Sequence, residues 1–348
     1  MRFILHQAFG FNYMSRIIFL SPFSHKGAAY SGARNRAEHL MAALTASGAE
    51  VVCVSPWKPG AAVEHRHVSL DGSLIYKALT TLKLSALLLQ LRPDVVVSES
   101  ALAPLSFNKY RLYHMIHDAK FATAHGRKFS RLAHLVNFLS ARLAKGVVTV
   151  SNSERERIAK SLLLPQDRIF VSYNGLSQIW FDLPKSAPKL YDVLYVSNFA
   201  PHKGHLNLLA VLNGLGLKVA FVGSDLGSLG AVQAYASAAG IDVTFFQNLS
   251  EAELVELYDA SKCFAFPSEL EGFGIPLLEA RARGVPVVAN DIPIFRELCL
   301  TVGGAVVDFH DRAAAQRAIV EATRGGNQAV DLSSFAWPRI AESLFERL

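Results

Sequence analysis

The chain has 348 residues, 51% hydrophobic and 18% charged, which excludes a disordered or low-complexity protein and sets a size of two domains. A net charge of +6 at pH 7 favours an anionic partner: nucleic acid, an anionic membrane surface or a phosphorylated small molecule. Three cysteines (Cys53, Cys263, Cys299) lie far apart without metal-ligand spacing, which excludes a disulfide framework and reads as free thiols in a reducing cytoplasm.

Met1–Tyr13 is apolar, but His6 and Asn12 interrupt it and no small-residue cleavage site follows. It reads as an extension, with Met14 as a second candidate start, and not as a secretory leader. Short β-branched runs then follow: Arg16–Ser21 (RIIFLS), Glu50–Ser55 (EVVCVS), Asp94–Ser98 (DVVVS), Leu112–Ile116 (LYHMI) and Val147–Ser151 (VVTVS). Longer amphipathic segments such as Ala33–Ala46 separate them, with apolar residues at three- and four-residue steps. Leu176–Lys189 carries two prolines and little periodicity, and reads as a linker.

A second series begins beyond it, with strands at Asp192–Ser197, Lys218–Gly223, Asp242–Phe246, Lys262–Phe266 and Val285–Ala289. Ser334–Leu348 closes the chain as an amphipathic helix. The predicted fold class is α/β, with two Rossmann-like doubly wound domains facing each other across a ligand cleft. The expected boundaries are 1–175, a linker at 176–189, a second domain at 190–330 and a terminal segment at 331–348. No run of eighteen uncharged apolar residues occurs, so no transmembrane helix is expected. No helix-turn-helix or aromatic RNA-binding pattern accompanies the basic charge, so nucleic acid is not an expected partner.

The densest chemistry lies in Phe266–Glu297, FPSELEGFGIPLLEARARGVPVVANDIPIFRE. A strand ends, a loop carrying Glu269 and Glu271 follows, and Gly272-Phe273-Gly274 leads into a helix. Glycines allow a ligand to approach the backbone, and the amides of a helix start suit a diphosphate. Carboxylates beside such a site suit sugar and ribose hydroxyls, which have protons to donate. Taken singly, Glu271 also reads as a helix-start interaction, Glu269 as a solvated loop residue, Lys203 as a surface residue and His117 as a strand-end cap.

EGFGIPLLE (Glu271–Glu279) resembles the E-x7-E motif of the retaining GT-B glycosyltransferases of family 4, the glycogen-synthase-like group. The likeness extends to VSNFAPHKGHLNLL (Val196–Leu209), NLSEAELVELYDASKCFAFPS (Asn248–Ser268), SPFSHKGAAYSGARNRAEHL (Ser21–Leu40), IHD (Ile116–Asp118), VTVSNSERERI (Val148–Ile158) and YNGL (Tyr173–Leu176). The resemblance implies that Glu279 holds the ribose hydroxyls and Glu271 the transferred sugar. It implies that Gly272, Phe273, Gly274 and Ile275 belong to the donor loop and that Lys203 neutralises the leaving phosphate. His117 would approach the donor sugar, Gly27 would admit the phosphates to the first loop, and the chain's end would return to the first domain.

The reaction so implied moves a hexosyl group from a nucleotide diphosphosugar to an acceptor hydroxyl, with retention. No cofactor is expected, since the nucleotide sugar is a substrate, and with no D-x-D pair in the sequence no metal is required. At Ser197 the family arginine is missing; His202, Arg34 and Arg36 are the candidate replacements. A nucleotide-sugar 2-epimerase of the same fold and a non-catalytic nucleotide-sugar-binding regulator are the rival readings.

From Ala119 to Ser153 the chain has six basic residues (Lys120, Arg127, Lys128, Arg131, Arg142, Lys145) and no acidic one, interleaved with apolar residues at helical spacing. One reading is a solvated helix face. The other is an anionic membrane surface, which the family's lipid-linked saccharide acceptors of envelope polysaccharide synthesis favour. That reading expects a cytoplasmic enzyme, peripheral at the cytoplasmic face of the membrane.

Overall fold

The computed structural model describes residues 16–21, 32–69, 73–99, 110–117, 128–183, 188–326 and 330–348. They fall into two compact units, Met1–Gly175 with Trp337–Leu348, and Leu176–Ala336.

The first unit runs β1 (Arg16–Leu20), α1 (Gly32–Ala46), β2 (Glu50–Ser55), β3 (Glu64–His67), α2 (Leu74–Leu91), β4 (Val95–Ser98), β5 (Arg111–Met115), α3 (Lys128–Leu143), β6 (Gly146–Thr149), α4 (Asn152–Leu162) and β7 (Ile169–Val171). Its strands pair in parallel in the order β3-β2-β1-β4-β5-β6-β7. Successive side chains of a strand point to opposite faces, so each face has its own core. Ile17 and Phe19 pack with Leu40, Met41 and Leu44 of α1, whereas Ile18 and Leu20 pack with Leu84 and Leu88 of α2. A sheet covered on both faces requires continuous apolar runs, which explains why VVVS and GVVT are buried at every position.

The helix Trp337–Phe345 closes the α1 face of this sheet. Trp337 stacks on His39 with ring centroids 5.1 Å apart, and the Tyr113 hydroxyl donates to the Leu348 carbonyl at 2.9 Å.

The second unit runs β8 (Tyr191–Val196), α5 (His205–Leu212), β9 (Val219–Val222), α6 (Leu229–Ala238), β10 (Val243–Phe246), α7 (Glu251–Asp259), β11 (Ser261–Phe266), α8 (Ile275–Ala282), β12 (Val287–Asn290), α9 (Pro293–Val302), β13 (Ala305–Val307) and α10 (Arg312–Arg324). The strand order is β10-β9-β8-β11-β12-β13, again all parallel. Both units are therefore doubly wound, as the alternation of strands and helices predicted. In each, the order reverses beside the first strand: between β1 and β4 in one unit, and between β8 and β11 in the other. Loops leaving the carboxyl ends of those strands diverge, and the crevice they leave is where such sheets bind ligands.

Three strands lie outside the ten runs read from the sequence, one of them polar and two short. Glu64–His67 (EHRH), Ile169–Val171 and Ala305–Val307 all lie at sheet edges. An edge strand is held by hydrogen bonds to one neighbour and needs little apolar surface, so a polar tetrapeptide serves. Among the described residues, no helix is long and apolar enough to cross a membrane.

Candidate functional site

The two loops at the reversal point of the second sheet carry the predicted chemistry. After β8 the chain passes Ser197 and forms a 3-10 turn, Pro201–Lys203, before Gly204 starts α5. After β11 it forms the loop Pro267–Gly274, which enters α8. The loops are tied together: the Glu269 amide donates to the His202 carbonyl at 3.0 Å, and the buried Tyr195 hydroxyl donates to the Lys203 carbonyl at 2.6 Å. This brings Lys203 Nζ to 2.6 Å from Glu271 Oε1, an ion pair between side chains that remain 18% and 14% exposed. A cation and a carboxylate 68 positions apart thus meet at the reversal point with some solvent access. Burial holds the neighbouring His205 imidazole down at about 4, so it is neutral at pH 7.

Gly204 is what lets the loops close. Its φ is +71°, and a Cβ there would stand 2.6 Å from the Pro267 carbonyl oxygen. Gly204→Ala is expected to cost about 3 kcal/mol, combining left-handed strain of about 1 kcal/mol with overpacking of about 2. Thermal unfolding should show a melting temperature lower by roughly 6–12 °C; an unchanged value would mean that the contact is not tight.

Gly274 caps α8 with φ +106°, where a Cβ would come within 3.0 Å of the Phe295 ring. Phe273 is buried beside it, while Gly272 and Ile275 are half-buried. Just over one turn into the helix, Glu279 is half-buried, and the Tyr258 hydroxyl lies 3.0 Å from its Oε2. Burial pushes the Glu279 carboxyl up to about 7; Tyr258 pulls it down and the charge of Glu251 pushes it up. Tyr258 packs edge-on against Trp180, whose indole donates to Glu251 at 2.7 Å. A buried bidentate pair, Arg283 with Asp259 at 2.6 and 2.8 Å, ties the end of α8 to the end of α7 and so fixes Tyr258 against Glu279.

Ser197 presents no cation. It is half-buried, and its amide is bonded to the Val222 carbonyl at 2.8 Å. Of the candidate replacements, Arg36 is corrected: it is 1% exposed, with its guanidinium bonded to Ser172 Oγ, the Tyr173 carbonyl and Asn174 Oδ1. A guanidinium so enclosed is not offered to a phosphate. Arg34 pairs with Glu38 at 2.9 Å over the Trp57 ring.

In the first unit, His117 follows β5 and is 25% exposed, with Nε2 at 3.2 Å from Glu99 Oε1. Gly27, Lys120 and Arg127 lie outside the described residues, and Lys128 and Arg131 are described only as backbone of α3. Among the described residues, no three His, Cys, Asp or Glu side chains gather as metal ligands. Sequence reasoning missed Tyr258 and Glu99. Tyr258 sits in a segment already read as family-like, but its reach to Glu279 is a tertiary contact; Glu99 is the first acidic residue past β4, a signal legible only once the strand order is known.

Two family models match in series: "Glycosyltransferase Family 4" over residues 30–177 and "Glycosyl transferases group 1" over residues 178–336. The O-antigen chain mannosyltransferase RfbU of Salmonella typhimurium is 31% identical over 198 residues, 52% of each chain. The GDP-mannose:cellobiosyl-diphosphopolyprenol alpha-mannosyltransferase of Komagataeibacter xylinus is 28% identical over 223 residues, 58% of this chain and 56% of that one. The matches thus span about half the length of these curated relatives. A crystal structure of a glycosyltransferase from Rickettsia africae superposes with a TM-score of 0.75 at 17% identity, over 96% of this chain and 97% of that one, and shows the shared fold. With its two parallel-sheet units and both family models in order, the chain belongs to the family 4 glycosyltransferases of GT-B fold.

Proposed function

We propose that the protein transfers a hexosyl group, with mannose from GDP-mannose as the leading donor, to an acceptor hydroxyl with retention of configuration. The observation that carries this is the Lys203–Glu271 ion pair at the reversal point of the second sheet, beside the start of α8. The choice of mannose rests on the relatives named as mannosyltransferases. Glu279, half-buried with the Tyr258 hydroxyl 3.0 Å from its Oε2, takes the ribose hydroxyls. Lys203 releases Glu271 to meet the diphosphate, and Glu271 then takes hydroxyls of the sugar. The barrier lies in anomeric C–O cleavage with charge gathering on the leaving diphosphate, which a fixed cation and helix-start dipoles stabilise. The leaving phosphate then receives the acceptor proton, so the protein supplies no nucleophile.

The test is a thermal-shift and turnover screen of nucleoside diphosphates and their sugars, with and without EDTA. GDP-mannose is expected to raise the melting temperature by mass action and to turn over in the chelator. A shift only with UDP or ADP compounds would overturn the donor, loss restored by magnesium or manganese would overturn the metal-free reading, and release of an epimer without acceptor would favour the epimerase.

The acceptor proposed is a lipid-linked saccharide, reached at an anionic membrane surface. In α3, Leu135, Leu139 and Leu143 are 51%, 49% and 62% exposed along one stripe. Each basic side chain near such a surface contributes about 1 kcal/mol. Co-sedimentation with anionic liposomes at low salt is expected, with loss at high salt or when Arg127, Lys128 and Arg131 become glutamate. Binding that survives those changes would leave this stretch a solvated face.

A further inference from the structure

The carboxyl edge of the first sheet holds a second polar pair, Glu99 with His117. Glu99 leaves β4 at the point where the strand order reverses, and its amide donates to the Leu20 carbonyl of β1 at 2.9 Å. β5 is the other neighbour of β4, with Ser98 level with His114, which carries His117 to the same edge. The Glu99 side chain is only 6% exposed; one oxygen, Oε1, faces His117 Nε2, and the other, Oε2, is buried without a hydrogen-bond partner. A buried carboxylate oxygen forfeits its water, and such an orphan marks a place completed by something absent from the free protein. The reversal point is also where a doubly wound sheet takes its ligand.

Among the described residues, the ionisable groups that feel this pair's charge include Arg36 of α1, Cys53 of β2 and the buried His114 of β5. Arg36 feels the Glu99 charge, while burial first and then His117 hold His114 down at about 4. His114 is therefore neutral at pH 7, and Arg36 is occupied by Ser172, Tyr173 and Asn174. Neither donates a hydrogen bond to Glu99 Oε2.

We propose that Glu99 is a sugar-site residue acting together with His117: Oε1 fixes the imidazole with Nε2–H turned inward, and Oε2 accepts a hydroxyl of the bound saccharide. The ring then offers Nδ1, with its lone pair, to a second hydroxyl. A carboxylate that holds one imidazole nitrogen decides which one the substrate meets. This deepens the glycosyl-transfer reading and rests on it for the activity measurement, but not for the tautomer.

Two measurements test it on the full chain. In the first, nitrogen-15 imidazole spectra at pH 8, with His117 assigned by its loss in His117→Ala, should show one Nε2–H tautomer that becomes a mixture in Glu99→Ala. An Nδ1–H tautomer, or a pattern unmoved by Glu99→Ala, would overturn the proposal. In the second, Glu99→Gln should keep the affinity for GDP within about twofold but lower GDP-mannose hydrolysis by about tenfold or more. The double variant with His117→Ala should be no slower than His117→Ala alone, because the two residues act as one unit. Multiplying losses, or a wild-type rate in Glu99→Gln, would overturn it. A Glu99 that served only as counter-charge to Arg36 would lower the melting temperature and leave tautomer and coupling unchanged. If the wild-type chain neither binds nor turns over any nucleotide sugar, the transferase reading fails and the tautomer alone decides the role of Glu99.

Discussion

Lys203→Ala and Glu271→Ala are each expected to lower transfer by about 10²–10³-fold, the loss seen when one fixed electrostatic contact to a developing charge is removed. The two should part company in nucleotide binding. Lys203 Nζ and Glu271 Oε1 lie 2.6 Å apart, so in the free protein each neutralises the other. Removing the lysine removes a charge-assisted contact to the diphosphate and leaves a carboxylate beside it, so GDP should bind about 10-fold or more weakly. Removing the glutamate frees the lysine, so GDP should bind as tightly as before or more tightly while transfer still fails. Calorimetry on the two variants reads this difference directly. Equal weakening in both would show that the pair is a structural latch, and near-wild-type turnover in either would remove it from the chemistry. Each variant strands a partly buried partner, so a stability loss of about 1–3 kcal/mol accompanies the effect and must be measured alongside.

The second expectation concerns pH. Burial pushes the Glu279 carboxyl up to about 7 in the free protein. In the proposed donor pose, ribose hydroxyls donate to the ionised form and so favour it, which would draw the group back toward the ordinary carboxylate range, about 4.3. Binding therefore releases a proton near neutrality, and affinity for GDP-mannose should fall about tenfold between pH 8 and pH 6, and about tenfold more by pH 5. The nucleotide sugar is the right probe, because its diphosphate lacks the secondary phosphate ionisation that would mimic this slope. Glu279→Gln should flatten the dependence. Tyr258→Phe removes the hydrogen bond that favours the ionised form, so it should move the midpoint upward and weaken binding at pH 7. A slope that survives Glu279→Gln would assign it to another group.

The same shift has a stability consequence with a definite sign. Between the unfolded value and about 7 the folded protein binds more protons at Glu279 than the unfolded chain does, so stability falls as pH rises through that window. Glu279→Gln should therefore raise the melting temperature at pH 8 and not at pH 4. A stabilising variant that loses nucleotide binding is what a residue kept for ligand rather than for packing produces.

Much of this protein was written along the chain. The two series of parallel strands, the glycine-led start of α8 and the run Glu271–Glu279 are local patterns, set by side-chain periodicity and by what a helix start can bind. It was the resemblance of these runs to the family 4 glycosyltransferases, and not periodicity, that marked Lys203, Glu271 and Glu279 without any coordinates. The helix Trp337–Phe345 was also legible from its amphipathic face. What only the tertiary structure decided is which of these groups face one another. Lys203 and Glu271 are 68 positions apart, and their contact depends on Gly204 admitting Pro267; Tyr258 and Glu279 meet because Arg283 and Asp259 join two helix ends. Glu99 gained meaning only when the sheet order placed it beside His117 at a reversal point, and the polar strand Glu64–His67 exists because a neighbour at the sheet edge supplies its hydrogen bonds. Periodicity records the face a residue presents to the core, whereas the pairing of polar groups depends on strand order and loop closure, which no local pattern encodes.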